Sequence, residues 1–190
     1  MLRTLLASAL LLSAVHPAAS DVQRKGPPVN QDAATIEAFK TRVDEYVALH
    51  RKLESTLPPM PKQTTPQQVD AHERALAKLI QQARVDAKPG DLLQPPMQEL
   101  VRRLLVPVFT GTAGEQIKDE ITDKEYKGSV KLVVNGRYPD EVPVSTMPPQ
   151  VLAALPRMPE ELEYRFVLNT LILFDPHAHI IPDFVEQAFK

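Results

Sequence analysis

The chain contains no cysteine and no tryptophan, and only six of its 190 residues are glycine. The missing cysteine excludes a disulfide scaffold, a thiolate metal site and a cysteine nucleophile, so a hydrophobic core alone must hold the fold. A dominant charge sign is missing too, since 22 basic residues face 24 acidic ones. Such a balance offers no field to attract DNA, RNA or an anionic membrane surface. No apolar run approaches the roughly 20 residues that cross a bilayer. Gly-x-Ser-x-Gly, His-Glu-x-x-His and EF-hand patterns are absent, and Gly111-Thr112-Ala113-Gly114 has neither the lysine nor the spacing of a phosphate loop.

Proline is plentiful instead: 19 residues, about twice the usual share. The prolines cluster at the junctions between periodic stretches and read as punctuation. Met1 to Ser20 has the form of a secretory signal peptide, with Arg3 its only charge, an apolar run from Leu5 to Val15, and small residues Ala18 and Ser20 at a cleavage site. A single membrane anchor is the alternative, but the run is too short for one. Cleavage after Ser20 implies an exported protein, periplasmic or secreted, with no stable membrane insertion. Removing Arg3 leaves 21 basic against 24 acidic residues, a formal charge of −3.

Beyond a flexible leader over residues 21–31, two stripes of helical period organise the chain. Ile36, Phe39, Val43, Tyr46, His50, Leu53 and Leu57 alternate steps of three and four, which holds them on one side of a 3.6-residue helix. Asn30 or Asp32 can cap its start, and Pro58, Pro59 and Pro61 forbid its continuation. Thr65, Pro66 and Gln68 then supply a capping box with proline at the first helical position. Val69, His72, Leu76, Leu79, Ile80, Ala83 and Ala87 form the second stripe, ended by Lys88-Pro89-Gly90. The proline-rich bend is long enough to return the second helix antiparallel to the first.

Pro95-Pro96 introduces a third helix with Met97, Leu100, Val101, Leu104, Leu105 and Val108 on a wide apolar face. A short charged helix, capped by Thr112 with Glu115, runs to near Tyr126. The pattern then changes. Val130, Leu132 and Val134 alternate as in a strand and Asn135-Gly136 is a strong hairpin turn, with Pro139 and Pro143 confining the return strand to an edge. One helical turn is expected over Gln150 to Leu155. Leu162, Tyr164 and Phe166 alternate, and a two-residue turn at Leu168-Asn169 returns the chain through Thr170 to Phe174, pairing Phe166 with Leu171 and Tyr164 with Leu173. Pro182 to Phe189 is expected to form a short closing helix. The fold class is therefore α+β: an N-terminal antiparallel helical hairpin plus a third helix over residues 32–128, then a small antiparallel β-sheet and a short C-terminal helix over residues 129–190.

The tail, carried by Leu155-Pro156, Pro159, Leu162-Glu163-Tyr164-Arg165-Phe166-Val167, Leu171, Leu173, Asp175, Ile181 and Asp183-Phe184, resembles that of uncharacterised secreted bacterial proteins ending in a proline-punctuated hairpin. The resemblance covers roughly the last 60 residues. It implies export and a compact hairpin and carries no assigned activity.

Three constellations hold side chains capable of chemistry. Asp175, His177 and His179 share one face if the segment is extended, and His-x-His with a carboxylate suits a divalent transition metal, Asp183 or a distant glutamate completing the set. The competing reading is a solvated turn begun by Asp175-Pro176. His50 and His72 sit on the two helical stripes and face each other if the bend centres near Pro61. They form a pH-sensitive pair, a metal site with Glu54 or Glu73, or two core-boundary imidazoles with local hydrogen bonds. Glu163-Tyr164-Arg165 offers a fork for a small anion, against a reading in which Tyr164 is core and the charges line the wet face.

No catalytic residue and no cofactor is expected from these patterns. The leading expectation is an exported non-enzymatic envelope protein acting by contact with another envelope protein. A metal-binding protein or metal-dependent enzyme using His177 and His179 is one alternative, and a carrier of a small apolar ligand held between helices and sheet is another.

Overall fold

The structure, a computed structural model, describes residues 30–121, 130–140, 142 and 147–189. The signal peptide expected over residues 1–20 and nearly all of the leader lie outside them. The fold is α+β, with helices α1 (Gln31–Glu54), α2 (Pro66–Ala83), α3 (Pro95–Leu105), α4 (Gly111–Ile121) and α5 (Pro149–Ala154). Four strands, β1 (Gly136–Arg137), β2 (Glu163–Val167), β3 (Thr170–Asp175) and β4 (Ile180–Val185), make one antiparallel sheet in the order β1-β4-β3-β2.

The helical hairpin forms where its caps stand. Asn30 accepts from the backbone N–H groups of Asp32 and Ala33, and Thr65 and Gln68 complete the reciprocal capping box at the start of α2. These bonds satisfy donors that a helix start otherwise leaves open. The leader expected to reach residue 31 gives way to helix at Gln31. Helix α4 begins at Gly111, one residue before the expected Thr112 cap, and its expected continuation toward Tyr126 falls outside the described residues.

One core runs from α1 (Phe39, Val43, Tyr46) through α2 (Leu76, Ile80) and α3 (Met97, Val101, Leu105) to the inner face of the sheet (Phe166, Leu171, Leu173, Val185). The outer sheet face is covered by Tyr138 and Val142, with Val130, Leu132 and Val134 packed alongside. Residues 130–133 are not a strand, although their alternation favours one. The turn bond runs from Gly136 N–H to the Val133 carbonyl, and the strand pairing here is the two-residue stretch Gly136–Arg137 on the edge of β4, flanked by bonds from Asn135 and Tyr138 N–H to the Ile181 and His179 carbonyls. Asn135 takes the positive φ of this turn, and a Cβ at Gly136 would meet the Val133 carbonyl oxygen at 2.8 Å.

The β2–β3 hairpin has the register that alternation dictates: Phe166 pairs with Leu171 and Tyr164 with Leu173. Leu168 adopts φ 55° to close the two-residue turn. The short closing helix expected over Pro182 to Phe189 does not form; Ile180–Val185 is strand β4. Its proline is accommodated by a register shift, because Leu173 faces Asp183 while Asp175 faces Ile180. Ile181 and Pro182 thus stand together opposite Phe174, and a bulge is one of the few places where a strand tolerates a missing donor. The bulge also shifts the side-chain phase, placing Ile181 and Phe184 on the outer face although they are three residues apart.

Candidate functional site

The inward period of β3 places Leu171, Leu173 and then Asp175 toward the helices. Asp175 ends the strand beneath α1, fully buried. Its Oδ2 accepts a hydrogen bond from the Tyr46 hydroxyl at 2.6 Å and lies 2.7 Å from His50 Nδ1. Its Oδ1 accepts from the backbone N–H groups of His177 and Ala178, both at 3.0 Å. A carboxylate so committed has no lone pair free to bind an ion at ordinary cost. Asp175 is therefore an orienting group: it holds the following turn and fixes the His50 ring.

His50 is fully buried, on the inner stripe of α1. With the Nδ1 proton engaged by Asp175, its Nε2 is the atom left to act, and among the described residues that atom makes no hydrogen bond. A carboxylate–imidazole pair of this kind fixes the tautomer and raises ligand basicity at metal sites. Burial opposes protonation of His50, but the hydrogen bond and charge of Asp175, with the charges of Glu54 and Glu161, outweigh it and raise its pKa.

Nε2 faces Glu54, one helical turn on. Glu54 Oε2 is 3.4 Å from His50 Nε2, and Oε1 is 3.1 Å from His177 Nδ1 and 3.6 Å from His72 Nε2. Three imidazoles, from α1, α2 and the β3–β4 turn, thus surround one carboxylate. One donor atom each from His50, Glu54 and His177 lies within 4.8 Å of the other two. Donors about 2.0–2.1 Å from a tetrahedral ion lie roughly 3.3–3.4 Å apart; the two histidine–glutamate contacts are of that length, though to different Glu54 oxygens, so an ion would draw the three donors closer together. The partial negative charge of the α1 C-terminus adds to the attraction for a cation. His50 is sealed, whereas the Glu54 and His177 side chains are 32% and 43% exposed, which gives an ion a path from solvent.

The expected trio of Asp175, His177 and His179 is not assembled. Residues 176–179 form a turn, so the alternation of an extended segment does not apply. Asp175 turns inward, His177 goes to Glu54, and His179 goes to the other end of the turn with φ 52°. There its ring meets Tyr138 and Phe174 edge-on and lies 3.9 Å from Glu73 and 4.0 Å from Asp140. Arg137 pairs with Asp70, Glu73 and Asp140 in the same cluster, so a resident cation already balances those carboxylates. Asp183 is also unavailable, buried and accepting from the N–H groups of Gly90, Leu92, Leu93 and Phe184.

His50 and His72 do come together, meeting at Glu54 across the hairpin. Tyr46 is legible in the sequence only as a core position; its role in holding Asp175 has no signal in helical spacing. Tyr164 is buried, and Arg165 bonds its neighbour Glu163. A hollow of about 610 Å³ is lined by Leu152, Met158 and Tyr164, away from the imidazole cluster. No helix of the described residues is long and apolar enough to cross a membrane.

Fold and site together define an α+β protein with three imidazoles gathered around a carboxylate. No protein-family model, curated protein or solved structure matches the chain.

Proposed function

We propose that this is an exported protein that binds a divalent transition-metal ion through His50 Nε2, Glu54 and His177 Nδ1. The observation that carries the reading is the Nε2 of a fully buried histidine, without a hydrogen bond among the described residues and oriented by Asp175 toward a carboxylate and a second imidazole. Nitrogen and oxygen donors without sulfur suit Zn²⁺ or Cu²⁺ and disfavour Cu⁺. In this reading the envelope partner expected from the sequence is the component that supplies the ion or receives it.

The test is calorimetric titration of the chelator-treated mature protein with Zn²⁺, with bound metal counted by elemental analysis. The wild type takes up one equivalent. Glu54→Gln and His177→Ala, both at partly exposed positions and checked for fold by circular dichroism, lose it. Uptake by these variants equal to that of the wild type would overturn the proposal.

A further inference from the structure

Resting on the metal reading above, we infer that His72 of α2 is the fourth donor and closes the coordination sphere, so that the site holds its ion and does not activate water on it. His72 Nε2 lies 3.6 Å from Glu54 Oε1, the same oxygen that His177 approaches at 3.1 Å. Its side chain is only 16% exposed and is directed at the cluster from the facing helix. Among the described residues, His50, Glu54 and His177 are the donors that all lie within 4.8 Å of one another, and His72 stands outside that set. It reaches the set at its Glu54 edge, and serving as fourth donor requires its side chain to turn toward the ion.

The completed set is three neutral imidazoles and one carboxylate, an N₃O tetrahedron. Sites with four protein ligands are closed, whereas catalytic zinc sites keep three and leave a position for water. The donors also come from three separate parts of the fold: the end of α1, the first half of α2, and the β3–β4 turn. Ion binding therefore ties both arms of the helical hairpin to the sheet, and release requires α2 to give up a ligand. This is the construction expected of a protein that keeps and hands over a metal ion.

Co²⁺ reads out coordination directly, since tetrahedral Co²⁺ absorbs several-fold more strongly in the visible than five- or six-coordinate Co²⁺. The chelator-treated mature protein is titrated with Co²⁺ and then with Zn²⁺ in competition. The expected result is an intense visible band in the wild type. In His72→Ala that band falls several-fold and Zn²⁺ affinity drops by at least the roughly 10- to 100-fold that loss of a mere supporting partner costs. His72→Gln gives the same readout if the alanine variant does not fold. A wild type that binds Co²⁺ with a band unchanged in either variant would overturn the fourth ligand and leave the three-donor site standing. A wild type that binds neither ion would overturn both readings.

Discussion

Asp175 and His50 are 125 residues apart in sequence, yet their side chains meet at 2.7 Å inside the core. The carboxylate also receives the Tyr46 hydroxyl and two backbone N–H groups, so one side chain satisfies donors from α1 and from the β3–β4 turn. Replacing it by alanine strands all of them. Asp175→Ala is expected to lose about 3–5 kcal/mol of stability, read as a lower midpoint in urea unfolding. The milder Asp175→Asn keeps the shape and weakens Zn²⁺ binding about 10- to 100-fold, because His50 is no longer oriented by a charge.

An ion that binds only the folded chain must stabilise it. At a free Zn²⁺ concentration about 100 times Kd the gain is about 2.7 kcal/mol. Thermal unfolding with added Zn²⁺ should show a higher Tm that a chelator reverses. In the Glu54→Gln, His177→Ala double variant the same addition should leave Tm unchanged.

Leu168 holds φ 55° in the β2–β3 turn. A left-handed backbone costs a residue with a Cβ roughly 1–2 kcal/mol, of which glycine's greater freedom in the unfolded chain takes back about 0.5–1 kcal/mol. Leu168→Gly should therefore raise stability by about 0.5–1 kcal/mol. A lower urea midpoint would show that the leucine side chain contributes more than its backbone conformation costs.

Tyr164 is buried and its hydroxyl has no hydrogen-bond partner among the described residues; burial raises its pKa far above the ordinary value of 10.0. A phenol held neutral in the fold contributes stability that is fully present below the unfolded value near 10 and is lost as pH rises toward the raised folded value. Ultraviolet titration of the folded protein should show this tyrosine silent until alkaline unfolding exposes it. Tyr164→Phe should be neutral or stabilising by up to about 1 kcal/mol at pH 7 and should unfold at higher pH.

Glu161 is buried beside Arg51. Burial works against its charge, but the Arg51 hydrogen bond, a backbone N–H and the Arg51 charge outweigh it and lower the pKa below 4.5. The resulting stability is present above the unfolded carboxylate value near 4.3 and is lost as pH falls through the lowered folded value. Arg51 is largely exposed, so solvent screens the pair and keeps its contribution small. Glu161→Gln should flatten the acid limb of the stability curve below the unfolded carboxylate value near 4.3.

Much of the scaffold is legible in the sequence because local chemistry specifies it. Proline and capping residues bracket α1 and α2, since a missing donor or a side-chain acceptor acts within a few residues. The β2–β3 register follows from alternation, since a slip of one residue would turn Tyr164 and Phe166 out of the core. The C-terminal strand reads as a helix in sequence because Ile180–Val185 is too short for its period to decide, and only pairing with β3 and β1 settles it. Pro182 argues against a strand until a bulge gives it a place.

For the candidate site, the sequence by itself determined the available chemistry: no thiolate, five histidines, and a His50–Glu54 spacing that puts both groups on one helix face. It also brought His50 opposite His72, through the length of the bend. Only the tertiary structure decided that His177 joins them while His179 does not, and that Asp175 orients an imidazole from within the core. Those outcomes depend on how a four-residue turn directs its side chains and on which helix lies over the end of β3. Spacing along the chain holds no record of such contacts, because they are set by packing between segments more than a hundred residues apart.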